Sequence, residues 1–324
     1  RYAGPAGALA VPSNGACISA VTTARGEIRL NTLKCGILFE DTGHMEFAET
    51  SEGAWRVDSG LKARARALAK DAILGLSSLT ASSRSKPAIR CLYGHAVFAD
   101  CAENFEDFII FLRNRGQIVS TEQLCSLIST ESGSKGENYF HMSFDDGFAN
   151  VYEVGGKIME KHRVPYTIFV STDLVGADPA RMSEYFKTMT SYLNPIRTMN
   201  WEQVAEAAQS EYAEIGCHTR THARLSDISS NMAALRDEIQ GAKSILEEKT
   251  GKACTSFAWP YGTNADIDSA SISEIKAAGF TSCFSAVRGR VVQGETDVHL
   301  IPRHQVEFHW KPSALRAWAQ GFGE

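Results

Sequence analysis

The spacing of hydrophobic and polar positions along this 324-residue chain changes near residue 88. Before that point, short β-like pieces ("GEIRL", "CGILFE", "AWRVD") are separated by Gly, Asp, Asn and Thr turns. "LKARARALAKDAILGL" (61–76) then has the Ala, Leu, Lys and Arg content of a helix. Its basic residues read either as a solvated face or as a contact for a polyanion. "SSLTASSRSKP" (77–87) is polar, Ser-rich and closed by proline, as a linker is. The pattern predicts a small α+β, β-rich N-terminal extension over residues 1–80 and a main domain over 81–324.

Beyond the linker, strand-length apolar runs alternate with amphipathic stretches. "AIRCLYGH", "QIVS", "NYFHMSF", "PYTIFVS" and "YAEIGC" read as strands, and "NFEDFIIFLRNRG" and "VYEVGGKIMEKH" as helices. "NWEQVAEAAQ" (200–209) opens on Asn200, a natural N-cap, and a long helix within 227–251 closes on Gly251. "SFAWPYG", "TSCFSA" and "HLIPRHQV" supply the last strands. Alternation of this kind predicts an α/β fold with a parallel sheet, and in a barrel the site lies at the carboxyl ends of the strands. Asp145, Asp146, His218 and Tyr261 all come directly after predicted strands.

Composition narrows the function classes. Hydrophobic residues make up 44% and charged residues 22%, enough apolar material for a substantial core. A net charge of −5 gives no basic footprint for nucleic acid. No apolar run reaches the roughly 18–20 residues of a membrane span. The opening "RYAGPAGALAVPSNGA" lacks the charged start and long apolar core of a signal peptide. Eight cysteines are scattered without a CxxC pair, which argues against a thiolate zinc site and favours a reducing compartment. Their even number also suits disulfides, and thus a location outside the cytoplasm if a signal peptide has been removed.

Two stretches carry the chemistry. "HMSFDDGFAN" sets Asp145 beside Asp146 at a strand end, where a straight strand would send the two side chains to opposite faces. Gly147 lets the chain leave the strand, so both carboxylates can serve one site. "CHTRTHARL" spaces His218 and His222 four apart. A helix face or a tight loop at a strand end would bring both imidazoles together; two unrelated surface histidines are the plain alternative. Two imidazoles and one carboxylate make the three-ligand set of a catalytic metal with a position left for water. Zinc suits that set, and cobalt or nickel fits it too.

"SFDDG", "HTRTH" and "FAWPYG" (257–262) occur together and in order. With "VPYTIFV" and "EEKTGKACTSFAWPYG" between and around them, residues 88–310 resemble the polysaccharide deacetylases of carbohydrate esterase family four. The resemblance implies a deformed (β/α) barrel, usually of seven strands. It implies Asp145 as the base and Asp146, His218 and His222 as metal ligands. It also implies a turn at Trp259, Pro260 and Tyr261 that faces the oxyanion with a backbone N–H and walls in the acetyl methyl. Two features depart from the common pattern: Ala258 stands where an arginine holds the catalytic aspartate, and a late Leu-x-His is missing. Both resemble the branch that includes biofilm poly-N-acetylglucosamine deacetylases. There a first-strand histidine is the general acid and a late Pro-Arg supplies the arginine. Carried over, these are His95 in "LYGHAVF", where Gly94 interrupts the usual Tyr-His pair, and Arg303 in "LIPRHQV". His304 is the alternative acid, and a core-edge role is the plain reading of both His95 and Arg303. The implied activity is metal-dependent removal of N-acetyl groups from a GlcNAc-containing poly- or oligosaccharide. An O-acetyl esterase on acetylated xylan, a cyclic-amide hydrolase and a catalytically idle carbohydrate-binding protein compete with it. Of the remaining histidines, His141 is expected to pack in its strand.

Overall fold

A computed structural model describes residues 17–22, 28–33, 46–55, 87–130, 136–187, 189 and 192–322. The helix expected over 61–76, the linker up to residue 86, "CGILFE" and His44 lie outside the described residues. The chain divides into two units, Arg1–Met45 and Glu46–Glu324. In the first, β1 (Cys17–Thr22) pairs antiparallel with β2 (Ile28–Leu33), which takes in most of "GEIRL".

In the second unit the alternation of strand and helix becomes a parallel sheet. Its strands are β3 (Ile89–Gly94), β4 (Gly116–Ile118), β5 (Asn138–Phe144), β6 (Tyr166–Val170), β7 (Ala213–Cys217), β8 (Ser256–Ala258), β9 (Ser282–Phe284) and β10 (Arg303–Gln305). They run in the order β10-β3-β5-β6-β7-β8-β9, with β4 added to β5 outside that path. A parallel bridge from Phe284 to Ile301, just ahead of β10, nearly closes the seven into a barrel. The expected deformed, seven-stranded (β/α) barrel is therefore what the chain forms. No helix among the described residues is long and apolar enough to cross a membrane.

The two-residue period of the strands sorts their side chains. On β5, Phe140, Met142 and Phe144 join the outer core under the helices, among them Ala102–Arg113 with Phe105 and Phe108. The alternate residues His141 and Ser143 are also fully buried. Ile89, Cys91, Phe169, Ala258 and Phe284 form a second cluster, which Leu124 and Ile128 of the helix Thr121–Ser129 join. That helix begins in a capping box between Ser120 and Gln123 and plugs the amino-terminal end of the barrel. His141 packs as expected, within hydrogen-bond reach of Thr121 Oγ1 at 3.2 Å and stacked on Phe284. Burial, with Arg303 nearby, pushes its pKa down to about 3, so it is a neutral core residue.

Local signals hold at the helix ends. Asn200 and Gln203 close a capping box ahead of Trp201–Ala207, and Gly251 adopts φ 66° after Ala242–Thr250. The long helix expected within 227–251 is interrupted. Leu225–Ile228 forms a separate turn, and the run from Met232 to Thr250 carries a π-helical turn at Asp237–Gly241. Such a turn is often found beside functional sites, and here it presents Glu238 to the loop after β7.

Candidate active site

The side-by-side carboxylates share a site because the chain turns at Asp146 itself. Asp146 has φ 70° and Gly147 φ 67°, so the left-handed turn starts one residue before the glycine that predicted it. A non-glycine residue held there costs about 1–3 kcal/mol and persists only where its surroundings fix it. Asp145 and Asp146 are 4% and 3% exposed and line one cavity of about 390 Å³ at the carboxyl ends of the strands.

Of the two geometries open to "HTRTH", the loop is the one formed. Thr219 and His222 both have positive φ, at 63° and 61°. Glu238 holds the loop by accepting from Arg220 N at 3.0 Å, Thr221 N at 2.9 Å and Thr221 Oγ1 at 2.7 Å. The result brings ligand atoms of Asp146, His218 and His222 within 4.8 Å of one another, all buried.

The chemistry of that trio fits a divalent cation. His218 Nδ1 lies 2.8 Å from the Ala258 carbonyl oxygen. A carbonyl can only accept, so Nδ1 carries the proton and Nε2 a lone pair. That lone pair faces Asp146 Oδ1 at 3.5 Å, while His222 Nε2 stands 3.4 Å from the same oxygen. Asp146 Oδ1 is buried and makes no hydrogen bond among the described residues. Burial pushes His222 down to about 3, so it is a neutral imidazole with a lone pair to offer. Two ring nitrogens and a carboxylate oxygen converging in this way suit a positive ion, and the outward hydrogen bond of His218 is the usual support of a metal-binding imidazole.

Asp145 is held differently. Arg303, fully buried, grips it in a fork, Nη1 to Oδ1 at 2.8 Å and Nη2 to Oδ2 at 2.9 Å. The guanidinium also donates to the Ser285 carbonyl at 2.8 Å and to Ser143 Oγ at 3.1 Å, and lies over the Tyr93 ring at 4.2 Å. Burial raises the Asp145 pKa, and Arg303 followed by His218 brings it below the ordinary carboxylate value. Asp145 is thus an ionised carboxylate with fixed orientation beside the cation trio.

His95 lines the same cavity, its Nδ1 2.5 Å from Glu307 Oε1. Burial pushes the imidazole down, but Glu307, with Asp146 and Asp145, outweighs it and lifts the pKa to about 9. Gly94 before it is required by packing, since a Cβ there would sit 2.8 Å from both the Phe308 ring and the Val306 carbonyl oxygen. His304 is not brought to the cavity. It is the neighbour of Arg303 on β10, fully buried and pointing to the other side of the strand.

Trp259 and Tyr261 line the cavity on either side of buried Pro260. Tyr261 has φ 60°, and among the described residues no backbone carbonyl accepts from its N–H. Its ring packs edge-on to His222 at 5.1 Å and lies under the Arg224 guanidinium at 3.9 Å. Arg224 pairs with Asp266, whose other oxygen accepts from Thr263 N at 2.8 Å and Thr263 Oγ1 at 2.6 Å. Arg224 and Asp266 therefore brace the histidine loop against the Pro-Tyr turn.

Sequence comparison agrees with this geometry. The model of the polysaccharide deacetylase family matches residues 132–283, from just before β5 to the middle of β9. Residues 132–283 are thus similar to a polysaccharide deacetylase domain. No curated protein matches the chain by sequence. Solved structures share the deacetylase fold at low identity. IcaB from Ammonifex degensii is 19% identical, with a TM-score of 0.56 over 73% of this chain and 99% of its own. The BpsB deacetylase domain from Bordetella bronchiseptica is 17% identical, with a TM-score of 0.54 over 68% and 96%. The deacetylase PplD from Streptococcus pyogenes, in complex with acetate, is 16% identical, with a TM-score of 0.53 over 71% and 96%.

At this site, sequence reasoning missed three residues. Glu307 had a usable signal: Tyr93 pairs with Gln305 across β3 and β10, which sets position 307 level with His95. Arg224 and Asp266 had none, since their contact depends on two loops folding towards each other.

Proposed function

We propose that the chain is a metal-dependent deacetylase that removes N-acetyl groups from a GlcNAc-containing poly- or oligosaccharide. The observation that carries this reading is the buried, convergent trio of Asp146, His218 and His222 beside an Asp145 carboxylate forked by Arg303. A divalent cation bound by the trio, zinc above cobalt or nickel, would supply Lewis acidity, polarising the acetyl carbonyl and making water a stronger nucleophile.

The chain's own residues do the rest. Asp145, kept ionised and aimed by Arg303, takes the proton of the attacking water. The free N–H of Tyr261 donates to the oxygen that gains charge, with Trp259 and Tyr261 around the acetyl methyl. His95, protonated at neutral pH through Glu307, hands a proton to the departing nitrogen. The deacetylase names of BpsB and PplD, and acetate in the PplD complex, support the same reading.

The test is cation content together with acetate release from chitin oligomers and acetylxylan, with and without a chelator. Chelator-sensitive acetate release from chitin oligomers is expected. Release from acetylxylan alone would make the protein an O-acetyl esterase, and a bound cation without any acetate would make it catalytically idle. Comparing His95→Ala with His304→Ala assigns the acid, and a loss confined to His304→Ala would sink the His95 role.

A further inference from the structure

We propose that Trp55, supplied by the segment ahead of the barrel, is a specificity-determining wall of the cavity that contacts a sugar flanking the one being deacetylated. The inference rests on the deacetylase reading above. Residues 46–55 belong to the same compact unit as the barrel and are tied to it at several points. Ala48 N donates to the Pro195 carbonyl at 2.8 Å, Leu193 N to the Ala54 carbonyl at 2.8 Å, and Asn194 Nδ2 to the Gly53 carbonyl at 2.9 Å. Ser51 Oγ donates to Asp100 at 2.8 Å, and Trp55 itself bridges antiparallel to Tyr192. Ala54 is fully buried in a cluster with Phe148, Phe186 and Tyr192. This anchoring fixes where the indole stands.

The indole is half-buried and lines the cavity that holds Asp145 and the histidines. It is steadied by Tyr192, stacked at 4.4 Å, and by His309 at 5.0 Å. A row of rings leads to it from the metal site. His222 meets Tyr185 at 5.1 Å, Tyr185 meets Phe186 at 5.1 Å, Phe186 meets Tyr192 at 4.5 Å, and Tyr192 meets Trp55. Three rings thus stand between Trp55 and His222 in this row. Trp55 lines the same cavity, while its own ring contacts among the described residues are with Tyr192 and His309 and not with a metal ligand. A pyranose presents an apolar C–H surface, and a rigid indole gives it large contact area at little entropic cost. A second sugar is therefore the group whose chemistry matches this wall.

The test compares wild type, Trp55→Ala and Trp55→Phe on the N-acetylglucosamine pentamer and on 4-nitrophenyl acetate. The loss of kcat/KM in Trp55→Ala should be roughly tenfold greater for the pentamer, should fall on KM, and should be largely rescued by Trp55→Phe. Equal losses on both substrates, or none on the pentamer, would overturn the proposal. Calorimetry of the pentamer and of acetylated xylopentaose on Asp145→Asn, with and without Trp55→Ala, separates this from the function itself. If wild type releases no acetate from either sugar, the deacetylase reading fails, and weaker binding caused by Trp55→Ala still upholds the wall. Equal binding, or no binding of either sugar, removes it.

Discussion

The barrel has a cavity at each end, and the larger one is not the candidate site. At the amino ends, about 630 Å³ is lined by Ser120, Thr121, Glu122, Cys125, Glu214, Thr255, Thr281 and their neighbours. Several of its hydroxyls are already spent: Ser126 donates to the Glu122 carbonyl, Ser129 to that of Cys125, and Thr281 to that of Thr255. The smaller cavity, about 390 Å³, holds two buried carboxylates, converging imidazole lone pairs, and left-handed backbone at Asp146, His222 and Tyr261. Strain and unmet polarity mark the working end, and volume does not.

Mutations at both ends test this contrast. His222→Ala should abolish cation binding and acetate release, whereas Glu214→Gln in the larger cavity should leave both near wild type. If Glu214→Gln proves as damaging as His222→Ala in metal analysis and turnover, the contrast is wrong. Within the working end, Asp145→Asn should keep the cation and lose roughly 10²–10⁴ of kcat, as removal of a general base does. Wild-type turnover in that variant would reverse the division of labour between the two aspartates.

The brace should matter less. Arg224→Ala is expected to lower kcat by about tenfold with cation affinity nearly kept, since it frees the Tyr261 turn and leaves the ligands in place. Arg224→Lys should recover part of the loss. The smallest effect should be a shift of pH profile. Glu307 raises the His95 pKa, so the protonated acid persists through neutrality and is lost as pH rises through about 9. Glu307→Gln should therefore move the alkaline limb of kcat/KM to lower pH, and an unmoved limb would remove His95 from the acid role.

Much of this was legible along the chain. The alternation of strand and helix gave the parallel sheet, and the doublet at Asp145–Asp146 with the His218–His222 spacing gave two imidazoles and a carboxylate, because strand ends and short motifs are local. The barrel and the choice of Asp146 as ligand came from the family resemblance. The turn was legible only approximately: Gly147 advertised it, yet Asp146 begins it, since a residue held by its surroundings can occupy backbone that glycine merely finds easy. Arg224 and Trp55 were out of reach, and Glu307 could be placed only once the register of the last strand beside the first was known. Each becomes a neighbour of the site only when distant segments meet: the last strand beside the first, two loops across the mouth, or a leading segment laid along residues 192–195. The π-helical turn at Asp237–Gly241 was hidden as well, because periodicity records which face is apolar and says little about a one-residue bulge.

The closing seam of the barrel has its own consequence. Among the described residues, four backbone hydrogen bonds join the β9 side to the segment that leads into Arg303: Cys283 N to Val298, Ile301 N to Cys283, Ser285 N to Ile301, and Arg303 N to Val287. Parting there would take from the Arg303 guanidinium the Ser285 carbonyl that steadies it, while β10 stayed paired to β3 and the outer core stayed assembled. On warming, the protein should fall silent before it melts, and amide protons at Ile301 and Ser285 should exchange with solvent ahead of those in β5.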